Sequence, residues 1–304
     1  MALTAGIIST QEKSTLLLCH AGALGDFILT WPALRGLKYQ YPRYHLTAIG
    51  RKPFLDLAVK YGLLDDGFDL ESRQMMEFFQ GTKIPAIPGR LAGAVLWLKN
   101  ANNVLKLLTP VCSGPVLCID PFPPTTIHLA RYYCSELHRI FSIPYPENLT
   151  ELLPDLDPHQ QRDRYALIHP GSGSPSKNFT TGFYLQLRSL LQSYGFKKVY
   201  FVLGPAESTV RYDFFPETAV VRPQNPLELA EWLAKAMFFV GNDSGVSHLA
   251  GFLGIPTVVF YRSTDPDIWG VRGKKVWYIQ AQAAAKAGRL FNTLLKKLKI
   301  ILPG

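Results

Sequence analysis

Hydrophobic positions in this chain form short continuous runs, each followed by turn residues and then by a stretch with helical periodicity. A short apolar run bounded by turn residues is typical of a strand that is buried on both faces of a parallel sheet. The stretches between the runs repeat apolar residues every three or four positions, as amphipathic helices do. This alternation predicts an α/β fold in which helices cover both faces of parallel sheets.

Two series of these elements are predicted, one in each half of the chain. The pattern of residues 65–80 favours no element, and Pro32 is placed at the first position of its helix, where its missing N–H costs nothing. The first half is predicted to hold strands at 15–20, 45–49, 94–98 and 116–119, and helices at 32–40, 53–61 and 126–140. The second half is predicted to hold strands at 165–169, 199–203, 237–241 and 257–261, and helices at 181–194, 227–235, 245–253 and 281–300.

Residues 144–164 separate the two series. This stretch is polar and contains four prolines, a composition typical of a linker. We therefore predict two domains, residues 1–155 and 156–304, each a doubly wound Rossmann-like sheet, facing each other across a cleft. In open parallel sheets ligands bind beyond the carboxyl ends of the strands, so candidate functional residues are those that directly follow a strand.

The chain has 304 residues and a formal net charge of +9, and the excess lies at its C-terminal end. No acidic residue follows Asp267, whereas eight lysines and arginines do. This argues against a surface that coats nucleic acid and for one basic segment. The last predicted helix carries an apolar stripe that packs it back onto the first domain, binds it to an anionic membrane surface, or does both. The stripe consists of Leu290, Phe291, Leu294, Leu295, Leu298 and Leu302.

The four cysteines have no zinc-type spacing, and a chain of this length folds without disulfides, so we expect reduced thiols. No apolar run reaches the length of about 20 residues that a membrane helix needs. The longest candidate, residues 246–261, contains His248 and Pro256. We therefore expect a soluble, cytoplasmic protein.

Gly22-Ala23-Leu24-Gly25-Asp26 directly follows the first predicted strand. Its glycines allow a tight turn and a close approach of the backbone to a ligand. The Asp26 carboxylate could accept a proton from an incoming hydroxyl group or could cap a helical turn, and the spacing favours neither. The fingerprint Gly-x-Gly-x-x-Gly is absent, which argues against an NAD-dependent reductase.

His169-Pro-Gly-Ser-Gly-Ser-Pro-Ser-Lys177 follows the first strand of the second half. Small residues leave backbone N–H groups accessible, Ser172 and Ser174 add hydroxyl donors, and Lys177 adds a positive charge. The spacing is not that of the Walker motif. Because the segment lies at the ligand edge of the sheet, we favour phosphate binding over a flexible surface loop.

Two further segments follow strands of the second half. Glu207, in Gly204-Pro-Ala-Glu207, could bind the hydroxyls of a ribose, although an acidic residue at a helix start is the simpler interpretation. Gly241-Asn-Asp-Ser-Gly-Val-Ser-His248 runs into a predicted helix, whose N-terminus suits a diphosphate. Asp243 and His248 could bind sugar or phosphate oxygens, or could be a helix cap and a structural histidine.

These segments, in this order, resemble those of the ADP-heptose:lipopolysaccharide heptosyltransferases, a glycosyltransferase family with the GT-B fold. Asp243-Ser-Gly-Val-Ser-His-Leu-Ala, continuing to Gly254-Ile-Pro-Thr, is the most specific match, and the resemblance extends from about residue 15 to residue 279. Gly25 to Lys38 resembles the family's opening segment. Thr264-Asp-Pro with Trp269-Gly resembles the loop that usually follows.

The chain also departs from the family pattern. Phe179 stands where the family commonly has Trp, and Tyr261-Arg-Ser replaces a usual Phe-Gly-Pro. Residues 65–125 match weakly, and this is where acceptor-binding elements would lie.

The resemblance implies that residues 1–155 bind the acceptor and residues 156–304 bind the nucleotide-sugar, and it implies a role for each candidate residue. Asp26 would be the general base, and Lys177 with the backbone of residues 244–245 would bind the ADP diphosphate. Glu207 would hold the ribose. Asp243 and His248 would bind the heptose or its phosphate side. The full set of expected donor-binding residues is Gly25, Ser172, Ser174, Glu207, Asp243, Ser244, Gly245 and His248.

The predicted function is therefore the inverting transfer of a heptose, or a similar sugar, from an ADP-sugar to a lipopolysaccharide inner-core or related glycan. The acceptor would be lipid-linked, and the enzyme would be peripheral on the cytoplasmic face of the inner membrane. No metal and no other cofactor is expected, because Lys177 and a helix N-terminus would carry the positive charge. No nucleic acid is expected as a partner either, because the excess positive charge lies in one C-terminal segment. The alternatives are a nucleotide-sugar epimerase or hydrolase of the same fold and a non-catalytic sugar-nucleotide-binding protein.

Overall fold

A computed structural model describes residues 14–124, 126–153, 163–204, 215–281 and 287–301. The chain packs into two compact units. The first consists of residues 1–21 and 37–121, and the second of residues 22–36 and 122–304. That residues 1–155 bind the acceptor and residues 156–304 bind the donor stays a prediction.

The first unit is built on a sheet of five parallel strands. They are β1 (Ser14–His20), β2 (His45–Gly50), β3 (Asp66–Asp69), β4 (Arg90–Trp97) and β5 (Val116–Ile119). Their order across the sheet is β3-β2-β1-β4-β5, and every neighbouring pair is parallel. The helices that follow these strands are α1 (Leu24–Gln40), α2 (Lys52–Lys60), α3 (Arg73–Gln80) and α4 (Asn102–Leu108), and residues 24–36 of α1 group with the second unit.

The second unit is built on a sheet of six parallel strands. They are β6 (Asp163–His169), β7 (Lys198–Val202), β8 (Val220–Val221), β9 (Ala236–Asn242), β10 (Thr257–Tyr261) and β11 (Val276–Gln280). Their order is β11-β10-β9-β6-β7-β8. The helices of this unit are α5 (Leu129–Phe141), α6 (Thr181–Tyr194), α7 (Pro226–Lys235), α8 (Gly245–Phe252), α9 (Pro266–Trp269) and α10 (Ala287–Ile301).

Burial explains why the central strands could be predicted. Consecutive residues of β1 and β6 are buried regardless of which face they point to, as in Leu16, Leu17 and Leu18. Such strands need apolar residues at every position, and this gives the continuous runs seen in the sequence. The α/β architecture with two parallel sheets is thereby confirmed.

Helix α1 corrects one prediction. It begins at Leu24, so Pro32 lies inside the helix and not at its first position. A proline there removes one backbone hydrogen bond, which normally weakens a helix. The residues around it, Ile28 and Trp31 among them, are buried, and this tertiary packing holds the helix together across the proline.

The packing of helix α10 corrects a second prediction. Leu290, Leu294 and Leu298 are buried in the core of the second unit, and the Phe291 ring lies 4.9 Å from that of Phe183 on α6. The apolar stripe therefore packs into the core of the second unit, where the prediction had it pack onto the first domain or bind a membrane surface, while Leu302 lies outside the described residues. No helix in the described ranges is both long and apolar enough to cross a membrane.

Candidate active site

The candidate site lies at the carboxyl ends of the three central strands of the second unit. Strands β10, β9 and β6 are neighbours, and their last residues are in register, with His169 beside Gly241 and Phe260 beside Asn242. The segments that follow these strands therefore start at the same edge of the sheet. All of the site residues described below belong to this unit.

The segment between β6 and α6 (residues 170–180, the β6–α6 loop) is held by buried hydrogen bonds. The Asn242 side-chain amide donates to the carbonyl of Pro170 at 2.8 Å and to the Tyr184 hydroxyl at 2.7 Å. Asn178 Oδ1 accepts from the Ser172 hydroxyl at 2.6 Å. The polar contacts of Ser172 thus fix the shape of the loop, and Ser174 lies at the start of the short 3-10 helix Pro175–Lys177.

Lys177 and Asp243 form an ion pair, with 2.6 Å between Nζ and Oδ2. The Asp243 side chain is 6% exposed and that of Lys177 is 24% exposed, so the lysine end of the pair faces solvent. Thr264 donates its hydroxyl to the same Asp243 oxygen at 2.6 Å. A buried carboxylate therefore anchors an accessible ammonium group, which is the arrangement that a diphosphate can exploit.

Helix α8 begins directly after this carboxylate. Ser244 is its N-cap, and the Ser244 hydroxyl accepts from the Ser247 N–H at 3.3 Å. The first N–H groups of a helix lack partners within the helix and attract anions. His248 Nε2 lies 3.8 Å from Asp243 Oδ1, and burial lowers the pKa of His248 to about 4. The imidazole is therefore neutral near pH 7.

The start of α1 lies against the start of α8. A Cβ atom added at Gly245 would lie 2.9 Å from Leu24 Cβ and 3.0 Å from the Gly25 nitrogen. A Cβ atom added at Gly25 would lie 3.3 Å from His248 Cδ2. The two glycines therefore permit a backbone approach that larger residues would obstruct.

This approach brings Asp26, in the first turn of α1, into the same electrostatic environment. The Ala23 N–H donates to the Asp26 carboxylate at 3.3 Å. Burial raises the pKa of Asp26, the Ala23 N–H and Lys177 oppose the rise, and Asp243 adds to it. A carboxylate with a raised pKa is a better proton acceptor than an ordinary one, so the site has a candidate general base.

The structure brings together most of the predicted site residues: Gly25, Asp26, Ser172, Ser174, Lys177, Asp243, Ser244, Gly245 and His248. Glu207 lies outside the described residues. Asn242 and Thr264 also belong to the site and were not predicted, although Asn242 precedes Asp243 directly and Thr264 begins the segment Thr264-Asp-Pro. An asparagine at a strand end and a threonine in the following loop would have been the signals.

A metal site has no candidate among the residues that the structure describes. No group of three or more His, Cys, Asp or Glu side chains is placed to hold an ion there. Lys177 and the start of α8 carry positive charge at the strand ends.

Solved structures share this fold. The E. coli heptosyltransferase WaaC with ADP superposes with a TM-score of 0.72 at 17% identity, covering 93% of this chain and 99% of that one. A family 9 glycosyl transferase from Veillonella parvula gives 0.72 at 17% identity, over 95% and 97% of the two chains. E. coli ADP-heptose lps heptosyltransferase II gives 0.70 at 15% identity, over 93% and 98%. These likenesses establish the two-sheet GT-B architecture.

Sequence comparison identifies the family. A Haemophilus influenzae protein, named provisionally as a glycosyltransferase, is 24% identical over 309 aligned residues, which cover 84% of this chain and 85% of that protein. The model of glycosyltransferase family 9 (heptosyltransferase) matches residues 142–298, more than half of the chain. The chain therefore belongs to glycosyltransferase family 9, the heptosyltransferase family, and is a glycosyltransferase of that kind.

Proposed function

We propose that this enzyme transfers a heptose from ADP-heptose to a hydroxyl group of a lipopolysaccharide inner-core or related glycan, with inversion at the anomeric carbon. The observation that carries the proposal is the convergence of Asp26 with the Lys177–Asp243 ion pair at the strand ends of one unit. A proton acceptor and a diphosphate-binding cation lie within electrostatic range of each other. These are the two functions that direct displacement of a nucleoside diphosphate requires.

The donor would bind through its diphosphate. Lys177 supplies one positive charge, and the start of α8 at Ser244 and Gly245 supplies N–H donors and the positive end of the helix dipole. Asp243 and the neutral His248 lie 3.8 Å apart and would contact the heptose or its phosphate side. Glu207 would bind the ribose hydroxyls. The base would be adenine, because the E. coli heptosyltransferase WaaC was solved with ADP and E. coli heptosyltransferase II is named for ADP-heptose.

The chemical step is a single displacement. The acceptor hydroxyl oxygen forms a bond to the anomeric carbon while the bond from that carbon to the diphosphate oxygen breaks, and ADP leaves with the electron pair. Asp26 accepts the hydroxyl proton. Lys177 and the helix start stabilise the charge that grows on the diphosphate, so we propose that neither a metal ion nor another cofactor is needed.

The acceptor would be lipid-linked, and the enzyme would meet it at the cytoplasmic face of the inner membrane. Because the apolar stripe of α10 is buried, membrane contact would be electrostatic and would use the exposed basic residues Arg289, Lys296 and Lys299. Substituting Glu for Lys296 and Lys299 should abolish sedimentation with anionic phosphatidylglycerol vesicles. Lys198→Glu, at an exposed strand start, is the control, and unaltered sedimentation of the double variant would refute membrane contact by α10.

The transfer itself is tested with Asp26→Asn. This variant should bind ADP-heptose as the wild type does and lose turnover by roughly 10²-fold or more, the contribution of a positioned base. Asp163→Asn, an exposed carboxylate at the opposite end of β6, is the matched control and should keep full activity. Normal turnover by Asp26→Asn would refute the base assignment.

Thermal shifts with ADP-, UDP-, GDP- and CMP-sugars test the donor. At one common concentration, a sugar present at 100 times its Kd adds about 2.7 kcal/mol of stability and weaker ligands add less, so the shifts rank the four. Consumption of the donor without any acceptor would instead indicate a hydrolase or an epimerase.

A further inference from the structure

The segment after β10 contacts Asp243 and also the residue that follows Lys177. From this segment Thr264 donates to the Asp243 carboxylate at 2.6 Å. Arg262, two residues earlier, reaches the β6–α6 loop immediately after Lys177. One short segment is therefore in contact with the carboxylate and with the backbone that carries the lysine.

Arg262 makes two contacts with the β6–α6 loop. Its Nη1 atom donates to the backbone carbonyl of Asn178. Its guanidinium carbon lies 4.9 Å from the centre of the Phe179 ring, within the range of a cation–π interaction. A planar guanidinium group can make both contacts at once, whereas a lysine ammonium group is a point charge without a stacking face.

Both contacted residues are fixed in turn by the core of the unit. The Phe179 ring stacks on Phe183 at 4.1 Å with an interplanar angle of 14°, and its edge packs against Phe260 at 5.5 Å. The Asn178 side chain accepts from the buried Asn242 amide at 3.2 Å. The residue after Lys177 is thus held on its side chain by Asn242 and on its carbonyl by Arg262.

We propose that Arg262 is a positioning residue, which clamps the β6–α6 loop at Asn178 and Phe179 so that the Lys177 ammonium group is held at Asp243, ready for a diphosphate. The inference rests on the proposed function, because it assumes that Lys177 binds the donor diphosphate. It also connects two departures from the family pattern, Phe179 and Arg262, in one contact.

The first test is a double-mutant cycle on ADP binding, measured by calorimetry. Arg262→Ala should raise the Kd for ADP roughly tenfold, the loss expected when a charged hydrogen bond no longer fixes the lysine. Arg262→Lys should recover part of that loss. In a Lys177→Ala background, Arg262→Ala should change the Kd by less than twofold. Arg164→Ala, an exposed arginine at the start of β6 and so at the opposite end of that strand from the site, is the matched control and should not alter the Kd.

Additive effects of the two substitutions would overturn the proposal, since they would mean that Arg262 acts independently of Lys177. Absence of ADP binding by the wild type would refute the proposed donor instead. A second readout, which uses no nucleotide, then decides about Arg262.

That readout is the rate at which N-hydroxysuccinimide acetate labels Lys177, followed by mass spectrometry. In the wild type the ion pair should protect this amine. Arg262→Ala should raise its labelling several-fold relative to the exposed Lys299 in the same sample. An unchanged ratio of Lys177 to Lys299 labelling would overturn the proposed clamp.

Discussion

Substituting alanine for Gly245 tests whether the close contact between the starts of α1 and α8 holds the active site together. The added methyl group would lie 2.9 Å from Leu24 Cβ and 3.0 Å from the Gly25 nitrogen. Carbon atoms attract one another best at about 3.5–4.0 Å, so the two helix starts would have to separate by roughly 0.5–1 Å. The backbone that carries Asp26 would move with them.

Both stability and turnover should suffer. Overpacking of this kind costs about 1–3 kcal/mol, and alanine recovers part of that cost because it is a better helix former than glycine. We expect a net loss of about 1–2 kcal/mol. A shift of about 1 Å in a catalytic group can cost up to 10²-fold in rate, so turnover should fall by roughly ten- to a hundredfold.

Urea unfolding gives the free energy of unfolding, and steady-state transfer gives kcat. The matched control is Gly182→Ala in the first turn of α6, where an added Cβ would meet only the Thr180 hydroxyl oxygen, at 4.0 Å. Alanine there should stabilise the protein by up to about 1 kcal/mol and leave kcat unchanged. If Gly245→Ala matched this control in both measurements, the contact would not be what places Asp26.

Two predictions concern pH and stability. Because burial raises the pKa of Asp26, the folded state holds that proton more tightly than the unfolded state, and stability is lost as the pH rises through the folded pKa. Asp26→Asn should therefore raise the melting temperature at pH 7, and the difference should shrink as the pH falls towards 4; no difference at pH 7 would contradict this. Conversely, burial lowers the pKa of His20, His128 and His248 to about 4, 3 and 4, so these histidines stay neutral in the folded state. Each histidine should therefore lower the free energy of unfolding by about 2 kcal/mol at pH 5 relative to its value well above pH 6.5. Urea unfolding that is insensitive to pH between 6.5 and 5 would refute this.

The sequence predicted the strands that are buried over most of their length and missed β3, which is partly exposed throughout. Residues 165–168 of β6 and most positions of β9 and β10 are apolar, and these continuous runs mark the three strands. Strand β3 has only four residues, Asp66–Asp69, and all are partly exposed, so its sequence carries no strand pattern. Helix α1 was placed too late because a proline usually starts a helix, whereas here tertiary packing outweighs that local preference.

The residues of the candidate site also differ in how far the sequence could predict them. Lys177, Asp243 and His248 lie in the segments that follow β6 and β9, and topology alone brings the ends of these neighbouring parallel strands together. Asp26 follows β1 of the other sheet, so strand order does not account for its place near the start of α8. Thr264 follows β10, but its role could not be predicted, because that role depends on the course of the loop after β10 and on one contact with Asp243. Which residue pairs with which is a tertiary fact, and no spacing in the sequence encodes it.

The ion pair itself suggests how the site prepares for its donor. A lysine that binds a diphosphate in an open site would otherwise sample many rotamers, and ordering it on binding costs roughly 1–2 kcal/mol. Here Asp243 already holds the ammonium group, Thr264 shares the same carboxylate oxygen, and Arg262 fixes the backbone behind the lysine. A diphosphate would therefore meet an ammonium group that is largely ordered before binding. It would also have to compete with the Asp243 carboxylate for that ammonium group. The ordering of the lysine and its competition for the diphosphate both depend on the charge of the Asp243 carboxylate. A neutral side chain at position 243 would release the ammonium group, and the lysine would then be neither ordered nor directed at the site.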